Sequence, residues 1–238
     1  MNEYEDVALV EPPPLNRLEI EKLVGTKVNN LAIYQKAFTH KSALKRYTLT
    51  ESFETLEFMG DSILGFIITK FLFDKYESRQ EGFLTKARTK LVRGHMLADI
   101  AKKVELDKWI LMDEKGIKNN WNNNEKVLED VFEALVGAIY LDLGLLHAKK
   151  FVLGIFSDPN IVDLECVMVD DNYKDRLMRY CQANKLCLPE YSIESHTNGV
   201  FCMSVSVNGA VLGKGSAKNK KQAEQSAAYE SLIQLKEM

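Results

Sequence analysis

The chain has 238 residues, 46% of them hydrophobic and 27% charged, which suits one larger or two smaller globular domains and excludes a mostly disordered chain. Its net charge is −3, and from Asp170 onward nine Lys/Arg stand against eight Asp/Glu, so neither part carries a strongly basic total. Any phosphate-binding surface must therefore come from local clustering of Lys and Arg.

Cys166, Cys181, Cys187 and Cys202 form no Cys-x-x-Cys pair and have no His at zinc spacing, so they read as buried free thiols in a reducing compartment. The start is acidic (Glu3, Glu5, Asp6) and lacks the pattern of a signal peptide. The richest apolar stretch, Ile63 to Phe73, is too short for a membrane span and carries Lys70. An intracellular, cytoplasmic protein with no membrane partner is expected.

Residues 1–16 combine acids with Pro12, Pro13 and Pro14 and read as a flexible tail. Residues 17–156 show apolar recurrence at helical spacing and read as an all-α bundle. Its helices are expected near Leu18 to Val24, Leu31 to Phe38, Phe53 to Tyr76, Gly82 to Lys103 and Glu125 to Leu143. Residues 157–170, opening on Ser-Asp-Pro-Asn, read as a linker. In residues 171–238 the pattern becomes α-β-β-β-α, an α+β domain. Tyr173 to Asn184 is helical, Tyr191 to Ser195 and Phe201 to Val207 alternate like strands, and Asn208-Gly209 signals a hairpin into Ala210 to Gly213. Lys220 to Leu235 is helical again, with Asn219 as its N-cap.

The third of these helices carries Glu54, Glu57 and Asp61 within roughly a 60° arc at about 100° per residue, so the three carboxylates share one face. Its other residues are largely apolar, no Lys or Arg occurs between Glu51 and Thr69, and such a helix is expected to be buried. Burying like charges is costly without compensation. The segment Lys126 to Asp142 repeats the pattern, with Asp130 and Glu133 at i, i+3 and no base after Lys126. Two such helices face to face would make an all-oxygen pocket suited to a hard divalent cation, Mg²⁺ above all. Gly60 and Gly137 would let the backbones approach closely. Spacing alone also admits a solvated acidic face, or neutralisation by Lys41, Arg88 or Arg93.

The run Phe53-Glu-Thr-Leu-Glu-Phe-Met-Gly-Asp-Ser-Ile-Leu64 resembles the signature of the ribonuclease III family. Phe38 to Ala43, Glu81 to Thr85 with Arg88, Leu91 to Gly94, and Lys126 to Asp142 match further family motifs in the same order. Gly213 to Ala228 is similar to the loop and helix start of a double-stranded-RNA-binding domain. The likeness runs from about Leu18 to Leu235 and is that of the simple class, one catalytic domain followed by one RNA-binding domain.

The resemblance implies a Mg²⁺-dependent endoribonuclease, with Mn²⁺ as a substitute ion, in which Glu57, Asp61, Asp130 and Glu133 are the metal ligands and Asp61 and Glu133 are catalytic. It makes Glu54 and Glu81 accessory acids and places Phe58 at the interface of a homodimer whose two sites each cut one strand of double-stranded RNA. The implied products carry 5′-phosphate and 3′-hydroxyl ends with short 3′ overhangs. Gln182, Lys218, Asn219, Lys220 and Lys221 are the implied RNA-binding residues. The lysines lie at a helix N-terminus, where backbone N–H groups already favour phosphate. Phe53 and Thr55 stand where the family usually has Asn and Arg, His95 where Asn is common, and Arg179 where an acid is common. The loop Ser195 to Val200 looks shortened, so His196 receives no minor-groove role. The rival reading is a non-cleaving protein that sequesters RNA duplexes, and the four intact carboxylates favour the enzyme.

Overall fold

The computed structural model describes residues 9–168 and 172–236, with the backbone alone at residues 166 and 167. It divides into two compact units, Met1–Met168 and Val169–Met238.

The first unit is all-α. It comprises α1 (Arg17–Val24), α2 (Leu31–Ala37), α3 (Glu54–Lys75), α4 (Glu81–Leu91), α5 (Gly94–Lys103), α6 (Glu114–Lys118), α7 (Glu125–Leu143), α8 (Leu145–Phe156) and α9 (Leu164–Met168). Short 3-10 turns at Lys41–Lys45, Leu106–Lys108 and Trp121–Asn123 join some of them. Asparagine opens several helices: the side chains of Asn16, Asn30 and Asn124 accept from the first-turn amides of α1, α2 and α7.

Helix α7 is the axis of this unit. Every residue from Val131 to Ile139 is buried, as its nearly continuous apolar sequence requires. At its far end Asp142 accepts hydrogen bonds from the Asn29 and Asn30 amides, both 2.9 Å, and from the Tyr34 hydroxyl at 3.0 Å. One carboxylate thus fastens the start of α2 to α7.

Helix α3 lies along α7 and buries Leu56, Gly60, Leu64, Ile67, Ile68 and Leu72 as one stripe. The expectation that the whole helix is buried is corrected here. Phe58, Phe66 and Phe73 are 77%, 57% and 63% exposed, because the opposite side of α3 has no partner within the unit. The single helix expected over Gly82 to Lys103 is two. Arg93 is extended and α5 restarts at Gly94, where a Cβ would meet the Glu129 carboxylate at 2.6 Å.

The stretch read as a flexible tail and the one read as a linker are both partly built into this unit. Val10 pairs with the 46–48 backbone through Val10 N–H to Arg46 O and Thr48 N–H to Val10 O. Val162 is buried in the core, and α9 occupies part of the stretch read as linker.

The second unit comprises α10 (Tyr173–Ala183), β1 (Glu190–Thr197), β2 (Val200–Val207), β3 (Ala210–Ala217) and α11 (Lys220–Gln234), with the antiparallel sheet ordered β1-β2-β3. Its core joins Leu177 and Cys181 of α10, Val205 and Val207 of β2, and Ala227, Ala228 and Leu232 of α11. Both hairpins turn on an Asn-Gly pair with positive φ at each residue, as two-residue turns of this hand require. Asn208-Gly209 is the one expected. Asn198-Gly199 closes the loop that the sequence gives as shortened, because β1 and β2 continue to Thr197 and from Val200.

β3 extends to Ala217, beyond its expected end at Gly213. Added Cβ atoms on Gly213 and Gly215 would overlap the α11 backbone, so glycine lets strand and helix pack this closely. Among the described cysteines, all free, only Cys181 is buried. Cys187 is exposed and Cys202 half-buried, which corrects the expectation of buried thiols for both; the Cys166 side chain lies outside the described residues. Among the described residues no helix is long and apolar enough to cross a membrane.

Candidate active site

The pairing of α3 with α7 is close because neither helix has a side chain at the crossing. A Cβ on Gly60 would overlap the Glu133 carbonyl oxygen, and one on Gly137 would overlap that of Leu56. Backbone contact brings the acids of both helices to one place. Glu57 of α3 and Asp130 and Glu133 of α7 each offer an oxygen within 4.8 Å of the others. Among the described residues no other group of three His, Cys, Asp or Glu converges in this way.

Asp61, one turn along α3 from Glu57, is exposed and stands outside that group of three. Its charge still reaches Glu133. Burial first, then Asp61, Glu129 and Glu57, push the Glu133 carboxyl up to about 8 despite the opposing pull of Lys126. Glu57 is also raised, by burial, by the charge of Asp130 and by a hydrogen bond shared with it. Both shifts have the physical cause that the sequence implied: carboxylates removed from water beside other carboxylates.

The compensating base is Lys126, not Lys41, Arg88 or Arg93. Its Nζ lies 2.7 Å from Asp130 Oδ1 and 3.3 Å from Glu129 Oε2. Burial disfavours the Lys126 ammonium, but the hydrogen bonds and charges of Asp130 and Glu129 outweigh it and raise its pKa. The i, i+3 and i, i+4 spacing of these residues was the signal that could have found this pair. One ammonium does not neutralise so many acids. Asp130 Oδ1 is withdrawn from solvent, and this ammonium is the only cation paired with it among the described residues. An all-oxygen, net-negative set, three of whose oxygens converge, fits a hard divalent cation.

His40 was not singled out from sequence. Its ring centroid lies 5.8 Å from that of Phe53 and 6.3 Å from that of Trp121. Burial, then Lys41, lowers its pKa against the opposing charges of Asp113, Glu54 and Asp130, which favours the neutral ring.

The remaining expected site residues are dispersed. Glu54 is exposed and pairs with Lys41 at 3.5 Å. Glu81 opens α4, accepts from Thr85 Oγ1 at 2.7 Å, and lines a pocket of about 400 Å³ with Phe73, Arg79, Leu84 and Arg88. Phe58 is exposed on α3.

In the second unit Asn219 caps α11, accepting from Gln222 N–H at 2.8 Å. Lys218, Lys220 and Lys221 are exposed around that helix start, and Gln182 is exposed near the end of α10. Arg179 pairs with Asp175 at 3.0 Å, which accommodates its unusual charge within the helix. His196 stacks on Phe201 across β1 and β2, with ring centroids 3.9 Å apart.

A family model described as Ribonuclease-III-like matches residues 30–158, and one for the double-stranded RNA binding motif matches residues 173–235. Protein A464R of Paramecium bursaria Chlorella virus 1 is 38% identical over 213 residues, covering 88% of this chain and 76% of that protein. Ribonuclease 3 of Chlorobium chlorochromatii is 36% identical over 231 residues, covering 92% of this chain and 91% of the relative. The solved nuclease domain of Ribonuclease III from Campylobacter jejuni, described for flexibility in a region involved in dimer formation, superimposes with a TM-score of 0.54 at 32% identity. That match covers 58% of this chain and 94% of the domain. The chain therefore belongs to the ribonuclease III family, as an endoribonuclease of its simple class: one helical catalytic domain followed by one α-β-β-β-α double-stranded-RNA-binding domain.

Proposed function

We propose that the protein is a Mg²⁺-dependent endoribonuclease that binds and cuts double-stranded RNA as a homodimer, one strand per subunit, leaving 5′-phosphate and 3′-hydroxyl ends. The observation that carries this reading is the convergence of Glu57, Asp130 and Glu133 on a base-poor face between two apolar helices. Residues 17–156 take the catalytic role, residues 171–238 the duplex-binding role, and 157–170 connect them. The free thiols fit a reducing compartment, and the activity is assigned to the cell interior, in the cytoplasm.

Glu57, Asp130 and Glu133 would hold the cation, Mn²⁺ serving as a substitute for Mg²⁺. When bound, the cation supplies Lewis-acid charge that stabilises the attacking and leaving oxygens of phosphodiester hydrolysis. Asp61, exposed and acting on Glu133 through its charge, would complete the ligand set and accept a proton from an attacking water. Glu54 and Glu81 are accessory acids. In the second unit Lys218, Lys220 and Lys221 would grip phosphate at the capped start of α11, with Asn219 and Gln182 completing a surface that reads duplex shape more than sequence. The exposed Phe58 would pack at the dimer interface.

The test is cleavage of a long RNA duplex with and without Mg²⁺. Wild-type protein should cut only with the ion, and Glu133→Gln should bind the duplex but fail to cut. Full cleavage by that variant in saturating Mg²⁺ removes Glu133 from the site, whereas duplex binding without cleavage by the wild type makes the protein a sequestering one.

A further inference from the structure

We infer that His40 is a positioning residue for the carboxylate site: its ring is the spacer that sets the N-terminal ends of α3 and α7 relative to each other. This rests on the metal-site reading above and adds to it the group that pre-arranges the ligands.

The ring has one neighbour on each of the two helix starts. Phe53 immediately precedes α3, and its carbonyl accepts from the amide of Glu57 at 2.9 Å, so a movement of Phe53 passes directly to a carboxylate of the site. Trp121 lies in the 3-10 turn before α7, and its carbonyl accepts from the amide of Asn124, the N-cap of the helix that carries Asp130 and Glu133. His40 makes tilted and edge contacts with these two rings, Phe53 and Trp121.

The spacer is itself fixed from two sides. Nδ1 accepts from the Ser42 amide at 3.1 Å and lies 2.9 Å from Ser42 Oγ, which accepts in turn from the Asp113 amide. The His40 amide donates to Leu111 O at 3.0 Å, and the neighbouring Thr39 carbonyl accepts from Phe53 N–H at 2.9 Å. Residues 39 and 40 are thus bonded to the chain leading into α3 and to the chain that runs on toward α7. A ligand set drawn from two helices needs their separation fixed within a fraction of an ångström, and the glycine crossing at Gly60 and Gly137 fixes it only further along.

Two variants separate the ring from its anchor. His40→Asn keeps an acceptor for the Ser42 amide and loses the ring, whereas His40→Phe keeps a ring and loses the acceptor. Direct calorimetric titration of each full-length variant with Mg²⁺ should show affinity about tenfold weaker for His40→Asn, the scale of outer-shell losses at metal sites. His40→Phe should recover most of that loss, and the KM for duplex RNA should be unchanged in both. Leu72→Ala, a core substitution on the same helix, serves as a control for lost stability and should leave Mg²⁺ affinity at the wild-type value. Wild-type Mg²⁺ affinity in His40→Asn overturns the inference, as does an affinity loss that simply follows thermal stability across all three variants. Wild-type protein that binds Mg²⁺ but does not cut duplex RNA sinks the nuclease reading and leaves the positioning role standing.

Discussion

Gly60 of α3 and Gly137 of α7 meet backbone to backbone: a Cβ on Gly60 would come to 3.0 Å of the Gly137 amide nitrogen, and one on Gly137 to 3.2 Å of that of Gly60. The nearest atoms at each position are carbonyl oxygens of the other helix, which cannot rotate away as a flexible side chain could. Gly60→Ala gains about 1 kcal/mol of helix propensity. That gain is smaller than the roughly 1–3 kcal/mol or more of forcing the two backbones apart. The catalytic unit should therefore melt on the order of 5 °C lower and its Mg²⁺ requirement should rise. Scanning calorimetry with a Mg²⁺ titration measures both, and an unchanged melting temperature would mean that the helices separate freely.

Glu133 provides a pH signature. Its carboxyl is raised to about 8 in the folded protein from an ordinary 4.5, so the metal-free fold favours the protonated form. The associated stability is present in full below about pH 4.5 and is lost as pH rises through about 8. Between pH 8 and pH 5 the metal-free protein should gain stability relative to Glu133→Gln. Even one pKa unit is worth about 1.4 kcal/mol, or roughly 2–4 °C at this size. Saturating Mg²⁺ should abolish the difference. Parallel melting curves for the two proteins across that window, without metal, would contradict the buried, crowded carboxyl.

The lysines proposed to grip phosphate at the start of α11 would act through charge, which salt dependence reads. Replacing Lys220 and Lys221 together by Ala removes two exposed ammonium groups beside the Asn219 cap. The slope of log affinity for duplex RNA against log salt should become shallower by about 2, one unit for each phosphate no longer neutralised by a lysine. Binding measured at several salt concentrations gives the slope directly, and an unaltered value would move the phosphate surface elsewhere on the domain.

Phe58 is 77% exposed on a helix whose other outward residues include Phe66 and Phe73. Large aromatics in water on one helix face suit the proposed dimer interface. Phe58→Asp should shift the protein from dimer to monomer at micromolar concentration in light scattering, with Glu133 and its neighbours undisturbed. A dimer of unchanged affinity would assign Phe58 to the solvent.

Much of the architecture was legible because it depends on local chemistry. The helix starts at Arg17, Leu31, Glu125 and Lys220 each follow an asparagine that caps them, and the Asn208-Gly209 turn follows from backbone preference alone. The break at Arg93 was not legible, because it is set by where Gly94 meets Glu129 of another helix. Nor was the length of β3, whose glycines look like a loop until α11 is packed against them.

The sequence by itself determined that Glu57, Asp130 and Glu133 sit on apolar helices with too few bases, since periodicity and composition fix which face each residue takes and what surrounds it. Only the tertiary structure decided that these three oxygens converge while Asp61 remains in solvent, that Lys126 is the compensating base, and that His40 lies between the aromatic residues that open the two helices. Helical spacing fixes direction around one axis. Distances between two axes depend on what fills the space where they cross, and here that is two glycines with no side chain between the backbones.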